Sequence, residues 1–334
     1  MISKILDFLW ILQRLYQRKI GFINVKEVNV ASRELDNNYI RILRFLNTKK
    51  NFINYKEKLN STNKVIELNN PILNTKTGVI WMDSGILEES TIWPVSRLLK
   101  WEPRPLFYSK IKQSSINLPD NGYYHFLIED LPRFIETIEE NVVKQVLIGS
   151  ESNYVKDSLG IMGLDNYVVV KHPVRCERLI ISEKNLGGIF SKFERNILLN
   201  FAKSINCIEN FDVIFIDRLN KSKEYNKRGL KYASEIKTKL KNFRVKTVYM
   251  EQLNLSEQIS IIKSARIVIG FHGAGLANMV WNDNSLRIIE LTEYRMTSHF
   301  GHIASICGHE YLRFKCSDFI KFDENHISKI LRII

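Results

Sequence analysis

The sequence contains few cysteines, and none of them forms a C-x-x-C pair. Four are spread over 334 residues, a spacing that suits neither a disulfide framework nor a paired-thiol metal site. We therefore expect free, mostly buried thiols in a reducing compartment. A disulfide between Cys307 and Cys316 is an alternative that nothing in the sequence supports.

The sequence also has no apolar run long enough to cross a membrane, which takes about 20 residues. Residues 2–16 carry apolar side chains at helical spacing and predict an amphipathic helix, and no small-residue cleavage site follows it. We therefore expect a cytoplasmic protein without a secretory signal. Trp10, Arg14, Arg18 and Lys19 suit a membrane interface, and packing of the helix on its own domain is the alternative.

Several catalytic patterns are missing as well. There is no Asp-x-Asp at a strand end and no cluster of His, Cys and Asp with ligand spacing, so we predict no metal site. Residues 282–284 come nearest and are typical of a turn. Because no G-x-S-x-G elbow occurs, a Ser-His-Asp hydrolase would have no placed nucleophile.

What the sequence does have is positive charge. Its 49 basic and 36 acidic residues give a net charge of +13, which suits an anionic partner such as a nucleotide diphosphate, an acidic glycan or an anionic membrane surface. A nucleic-acid interface would interleave basic and aromatic residues on one face. The short basic cluster at 221–228 does not do so, and it fits the rim of a phosphate site better.

The first half of the chain mixes strands and helices. Apolar runs predict the strands, and a turn at 121–124 leads into a helix that Pro132 should kink or interrupt. The predicted strands are 65–68, 79–82, 106–108, 146–148, 168–170 and 179–181, and the predicted helices are 125–139 and 155–162.

The second half alternates strands with helices, which indicates βαβ units and a parallel sheet. The predicted strands are 213–216, 245–249, 267–270, 286–291 and 311–314, and the predicted helices are 190–205, 230–240, 256–264, 275–281, 299–307 and 324–334. We expect a domain at 1–185 and a second at 186–334, with the last helix able to pack back on the first. Ligands of such sheets bind at the carboxyl ends of the strands.

The strongest motif, at 270–278, follows a predicted strand and opens a helix. Glycines let a backbone approach a ligand closely, and a helix N-terminus attracts a diphosphate. His272 can donate a hydrogen bond to a phosphate or a base, and the remaining candidates in the loop are Gly273, Ala274, Gly275, Leu276 and Asn278. The alternative is a tight structural turn.

Two more residues stand at strand ends of the same predicted sheet. Glu290 can bind ribose hydroxyls from that position, and Arg218 can bind phosphate with its planar guanidinium group. The alternatives are salt bridges, of Glu290 with Arg287 or Arg295 and of Arg218 with a neighbouring acid. Taken together, these strand ends favour a nucleotide site.

A polar segment at 121–133 in the first half carries candidate catalytic residues. His125 and Glu129 share a helix face because they are four residues apart, and Asp130 is directed elsewhere. A sugar transfer needs a base near the acceptor oxygen. Glu129, Asp130 or His125 can be that base, or His125 can orient Glu129. Simple helix-surface ion pairs are the alternative.

These two segments, in this order, resemble bacterial members of glycosyltransferase family 61. The family's first motif, Asn-x-(Tyr/Phe)-His-(Trp/Phe) with an acid four residues after the His and then Leu-Pro-Arg, stands at 121–133. Its second region stands at Arg218, 255–258, 270–278 and 290–291. The sequence departs from the pattern in that Asn121 lies one residue further from His125, and Glu129 stands where Asp is frequent.

The resemblance implies an α/β, GT-B-like fold in which two Rossmann-like domains face a cleft. It implies inverting, metal-independent transfer of a hexosyl or pentosyl group from a UDP-sugar to a glycan or lipid-linked glycan, as in capsule or lipopolysaccharide synthesis. On that reading His272 and Glu290 hold the nucleotide, Arg218 holds the diphosphate, and Glu129 or Asp130 serves the acceptor. The alternative is a catalytically inactive protein of this fold that binds glycan or nucleotide.

Overall fold

The computed structural model describes residues 65–82, 85–87, 104–140, 145–182, 190–207, 211–219, 230–293 and 299–331. The chain divides into two compact units, Met1–Ile189 and Phe190–Ile334. Each unit contains a sheet with helices, so the predicted α/β class is confirmed. The amphipathic helix predicted at 2–16 lies outside the described residues.

The sheet of the first unit is mixed. Strands β5, β6, β7 and β8 pair in parallel, and the strands from β1 to β4 add antiparallel pairs. Its order is β4-β3-β2-β8-β5-β6-β7, with β1 also pairing with β8. The strands are β1 (Val65–Asn69), β2 (Ile72–Leu73), β3 (Ile80–Met82), β4 (Gly85–Ile86), β5 (Ser109–Leu118), β6 (Gln145–Ile148), β7 (Tyr167–Val169) and β8 (Val174–Ser182).

One predicted strand of this unit is wrong. Residues 106–108 are not a strand, and β5 begins only at Ser109. Leu106 is 69% exposed, whereas the polar residues that follow it form the first half of the central strand. The prediction relied on apolar residues and placed this strand too early in the chain, because β5 buries its side chains mainly near its carboxyl end.

The helices of this unit are α1 (Tyr123–His125), α2 (Leu131–Glu140) and α3 (Asn153–Ile161), and a π-helical turn at Phe126–Asp130 joins α1 to α2. In that turn the Leu131 N–H donates to the Phe126 carbonyl. Pro132 lacks an N–H, and its ring crowds the carbonyl of Ile128. The interruption expected at Pro132 is therefore found as a widened turn just before it.

The sheet of the second unit is parallel throughout its described strands, as predicted. Its order is β10-β9-β11-β12-β13. The strands are β9 (Val213–Asp217), β10 (Val245–Tyr249), β11 (Ile267–Phe271), β12 (Arg287–Thr292) and β13 (Glu310–Lys315). The helices are α4 (Lys192–Phe201), α5 (Ala233–Leu240), α6 (Leu255–Ser264), α7 (His299–Cys307), α8 (Cys316–Phe319) and α9 (Glu324–Leu331).

The last helix packs within its own unit. Ile327 and Leu331 of α9 are buried in a core cluster that includes Phe215 and Phe271 of the parallel sheet. The side chains that α9 buries therefore belong to the core of the second unit, and packing of this helix on the first domain stays a prediction. The amphipathic spacing of α9 predicted a buried face but could not identify the surface that covers it.

The thiols are free, as predicted. Cys176, Cys307 and Cys316 are buried and Cys207 is exposed. Burial raises the pKa of each of the three buried thiols to about 12, so these side chains act as small apolar groups. No helix within the described ranges is both long and apolar enough to cross a membrane.

The buried side chain of His309 links Leu286, the residue before β12, to Met279. The Leu286 N–H donates to Nδ1 of His309 over 3.2 Å, and Nε2 lies 3.0 Å from the Met279 carbonyl. Since Nδ1 accepts, the proton must be on Nε2. Burial lowers the pKa of His309 to about 4, so the native state holds this ring neutral.

We predict that acid destabilises the protein through His309. The pKa of His309 is lower in the folded state than in the unfolded state. Its contribution to the free energy of unfolding is therefore complete above about pH 6.5, and it falls by up to about 3 kcal/mol as the pH falls towards about 4. Urea unfolding across this range should show a shallower pH dependence in His309→Gln than in the wild type. The exposed-histidine variant His326→Gln should keep the wild-type slope, and equal slopes in all three proteins would contradict the prediction.

Candidate functional site

The strand order of the second unit has a topological switch point at the carboxyl edge of its sheet, where such sheets generally form a binding crevice. From β9 the chain continues to β10 on one side, and from β11 it continues to β12 on the other. The order therefore reverses between β9 and β11, which is where open parallel sheets bind ligands. Arg218 follows β9 and His272 follows β11, so the topology brings these two predicted residues to the same point.

The glycine-rich segment packs against the sheet as a 3₁₀ helix at Ala274–Trp281, where a short helix was predicted at 275–281. A Cβ on Gly270 would lie 2.9 Å from Leu276 Cδ2 and 3.3 Å from Ile216 Cβ. A Cβ on Gly275 would lie 3.1 Å from Ile216 Cγ2. These two glycines therefore let the 3₁₀ helix lie directly on β9 and β11.

Two residues predicted to bind a ligand lie inside this packing. Leu276 and Asn278 are buried. The Asn278 side chain donates to the Gly275 carbonyl over 3.1 Å and accepts from Trp281 Nε1 over 3.0 Å. Gly273 is buried as well, whereas Ala274 and Gly275 are partly exposed. The accessible part of the loop is thus the start of the 3₁₀ helix, next to His272.

His272 is held by a buried carboxylate. Its Nδ1 forms a short hydrogen bond with Oε1 of Glu290, and its backbone N–H donates to the Leu291 carbonyl over 2.9 Å. The Glu290 side chain is 0% exposed and that of His272 is 11% exposed. Phe300 covers the imidazole with its ring centroid at 5.1 Å. Of this pair, only the imidazole can reach a ligand.

Two residues that the sequence analysis missed complete the surroundings of Glu290. The Tyr311 hydroxyl donates to Oε2, and Arg313 Nε donates to the same oxygen over 2.9 Å. Both belong to β13, and Glu290 is in register with Arg313 across β12 and β13. The signal that could have found them is two-residue spacing on a strand beside a buried acid.

Arg218 lies at the edge of this crevice. Its Nε is 3.9 Å from Oε1 of Glu251, and both side chains are partly exposed. The preceding Asp217 accepts from the Arg218 N–H and from Lys237 Nζ, each over 2.8 Å. The hydrogen bond with Asp217 raises the pKa of Lys237. Asp217 therefore fixes the backbone from which Arg218 projects.

In the first unit, the segment at 121–133 follows the carboxyl end of β5. Nδ1 of His125 is 2.9 Å from Oε1 of Glu129, and the side chains are 30% and 3% exposed, respectively. Asp130 is also buried, and the Asn121 amide approaches its Oδ2 at 3.5 Å. The arrangement leaves the imidazole partly exposed and buries both acids.

A third missed residue, Asp120, organises this edge. Ser150, Ser152 and Tyr154 donate short hydrogen bonds to its carboxylate, and the Gly122 N–H donates over 3.2 Å. Burial alone would raise the pKa of Asp120, but these hydrogen bonds outweigh it and lower the pKa. Asp120 thus joins the end of β5 to the start of α3. Asp120 lies two residues after β5, a strand that the apolar pattern misplaced, so the local sequence carried no signal for it.

Across the described ranges, no group of three or more His, Cys, Asp and Glu side chains could hold a metal ion. The acids at both edges are instead paired with histidine, tyrosine, serine or arginine donors.

The comparison with known families defines the class of protein. The family model for glycosyltransferase 61 matches residues 123–289, and the chain belongs to this family. Membership implies glycosyltransferase activity, with a sugar donor and an acceptor. The match includes His125, Arg218 and His272, and it ends one residue before Glu290. A search of curated proteins found no match.

We predict that Gly270→Ala loosens the glycine-rich segment. Its new methyl group would press on Leu276 and Ile216, and such overpacking costs about 1–3 kcal/mol. Gly160→Ala is the matched control, because this exposed glycine of α3 has nothing within 4 Å of an added Cβ, and alanine there should stabilise by up to about 1 kcal/mol. Thermal unfolding measures both, and an unchanged Gly270→Ala melting temperature would refute the close packing.

Proposed function

We propose that the protein is an inverting, metal-independent glycosyltransferase that moves a hexosyl or pentosyl group from a UDP-sugar to a hydroxyl of a glycan acceptor. The proposal includes the GT-B arrangement of two Rossmann-like domains facing a cleft. In it, 1–185 is the acceptor-side domain and 186–334 is the nucleotide-sugar domain. Family membership supports the sugar transfer, and the site geometry supports the roles below.

The observation that carries the donor assignment is the position of His272 at the point where the strand order reverses. A nucleotide diphosphate bound there would meet the imidazole, the partly exposed start of the 3₁₀ helix, and Arg218 from the neighbouring strand. An arginine can bind two phosphate oxygens at once. Because Glu290 is fully buried and both of its carboxylate oxygens are hydrogen-bonded to protein side chains, we assign it to His272 and not to the ribose.

For the acceptor side we propose His125 as the general base. A base must reach the proton that it removes, and the imidazole is exposed where Glu129 and Asp130 are not. Glu129 then fixes the ring through Nδ1, so that Nε2 faces the acceptor. A carboxylate in this place also stabilises the imidazolium that forms, as in other His–carboxylate pairs.

The proposed step is a single displacement. The acceptor oxygen forms a bond to the anomeric carbon from the face opposite UDP, and the bond from that carbon to the phosphate oxygen breaks. Its electron pair leaves with UDP, and the acceptor proton passes to Nε2 of His125. Configuration at the anomeric carbon inverts because attack and departure occur on opposite faces. Arg218 and the 3₁₀ helix N-terminus would stabilise the charge on the departing diphosphate.

We place this activity in the cytoplasm, at the inner face of the cell membrane, in capsule or lipopolysaccharide synthesis on a lipid-linked glycan. The net charge of +13 supports an anionic surface as a partner. The amphipathic pattern at 2–16, with Trp10 and its basic neighbours, supports an interfacial helix. No nucleic acid is part of the proposal.

The first test is calorimetry of UDP, GDP, CMP and ADP with and without EDTA. We expect UDP to bind best, to ignore EDTA, and to lose at least about tenfold in affinity in His272→Ala, since a hydrogen bond to a charged group contributes about 1.5–3 kcal/mol. His326→Ala, at an exposed histidine of the same unit, should bind as the wild type does. Binding of CMP or GDP instead would change the donor class, and no binding by the folded protein would favour an inactive glycan-binding role.

The base is tested by measuring UDP release from the donor sugar that binds, with glycan extracted from membranes as acceptor. We expect His125→Ala to lose about 10²–10⁴-fold in rate while binding UDP normally, because His125 belongs to the other unit. Glu129→Gln should lose less and should change the pH profile of the rate. If His125→Ala stays active while Asp130→Asn does not, Asp130 is the base.

A further inference from the structure

The charge of Glu290 must be matched inside the protein. Its side chain is 0% exposed, Oε2 accepts hydrogen bonds from Tyr311 and Arg313, and Oε1 is hydrogen-bonded to Nδ1 of His272. Arginine is always a donor and a tyrosine hydroxyl donates here. A buried carboxyl group that accepts from a cation and a hydroxyl is stabilised as the anion.

This arrangement fixes the proton on His272. Since Glu290 offers no hydrogen, the imidazole must donate through Nδ1. The second ring nitrogen, Nε2, is then the one directed away from Glu290. Whether Nε2 accepts or donates depends on the charge of the ring, and that charge depends on how strongly Glu290 attracts a second proton to the pair.

Tyr311 and Arg313 control that attraction. Arg313 Nε lies 2.9 Å from Glu290 Oε2 and 3.0 Å from the Tyr311 hydroxyl, so one cation and one hydroxyl share a single carboxylate oxygen. Both draw negative charge away from Oε1. Removing either leaves more of the carboxylate charge on the side of His272, which favours the imidazolium.

We propose that Tyr311 and Arg313 are positioning residues for donor binding: through Glu290 they set the tautomer and the charge of His272. The inference rests on the proposed donor role of His272 and deepens it. Neither residue is assigned a contact with the nucleotide. The pair lies on β13, beyond the stretch that matches the family.

Other ionisable groups surround His272 less closely. The 3₁₀ helix that follows it carries none. His302 of α7 is directed to the Phe190 carbonyl, 3.0 Å from its Nε2. The charged and titratable groups on β12, β13 and α7 and at the end of β9 are Arg287, Glu290, Glu310, Tyr311, Arg313, Lys315, His299, His302, Cys307, Asp217 and Arg218. The variants below change only Tyr311, Arg313 and, in the control, Glu310, so the other groups are common to all proteins compared.

The experiment is ¹⁵N NMR of the full-length protein labelled at histidine, with the His272 signals assigned by their loss in His272→Ala. We expect the Nδ1–H tautomer in the wild type. In Arg313→Gln and Tyr311→Phe the titration midpoint of His272 should rise by about half a unit to one unit. Arg313→Lys should stay nearer the wild type, because it keeps the charge.

Glu310→Gln is the matched control. It removes another arginine–glutamate pair between the same two strands, in which Arg287 Nε lies 2.6 Å from Glu310 Oε2, but at their amino ends. Its His272 midpoint should not move. UDP affinity at neutral pH should rise about 3–10-fold in Tyr311→Phe, because an imidazolium can donate from Nε2 to the diphosphate, and stay unchanged in Glu310→Gln.

An unchanged midpoint in Tyr311→Phe and Arg313→Gln, or an Nε2–H tautomer in the wild type, overturns the inference. Thermal unfolding shows whether Arg313→Gln is folded, and if it is not, Tyr311→Phe and Arg313→Lys decide. A wild type that binds no UDP contradicts the proposed donor site, whereas the NMR result still reports on the positioning of the ring. The two failures are therefore distinguishable.

Discussion

The burial of a carboxylate charge at Glu290 constrains the whole carboxyl edge of the second unit. Moving a lone carboxylate out of water costs several kcal/mol, so the protein must supply partners with good geometry. Glu290 lies in the middle of a row across the sheet, in register with Gly270 on one side and Arg313 on the other. The absent side chain at Gly270 admits the 3₁₀ helix, and Arg313 and Tyr311 compensate the charge. His272, two residues after Gly270, closes the same network.

The first unit also buries a carboxylate, but the groups that compensate its charge are of a different kind. Asp120 is buried at the end of β5 and is compensated by hydroxyl and backbone donors rather than by a cation. The hydroxyl donors are Ser150, Ser152 and Tyr154, which lie in the loop after β6 and in α3. The carboxylate therefore joins elements that the chain separates by 30 residues or more. This anchor lies directly before the segment that carries His125 and Glu129. The π-helical turn then buries Glu129 and Asp130 together, which a regular helix would direct about 100° apart.

The sequence predicted the second unit better than the first for a physical reason. Its strands are short, apolar and separated by helices, so local pattern and topology agree. In the first unit the central strand β5 begins with polar residues, and β8 pairs with strands from distant parts of the chain. The local spacing of apolar residues does not predict pairings between strands that are distant in the chain. The same limit applies to the sites: His272, Arg218 and His125 stand in recognisable motifs, whereas Tyr311, Arg313 and Asp120 become partners only through register or tertiary packing.

The two histidines differ in ways that fit different tasks. Each is bound through Nδ1 to a buried glutamate, but the His125 side chain is 30% exposed and that of His272 is 11% exposed. An imidazole that accepts a proton during a reaction needs access to the acceptor and a single carboxylate that stabilises the cation as it forms. An imidazole that recognises a ligand binds it better when the position of its proton is fixed. In the proposal, the hydrogen bonds that Tyr311 and Arg313 donate to Glu290 fix that position. In the proposed roles His125 is the base and His272 the binding residue, and Tyr311 and Arg313 fix the glutamate that holds His272.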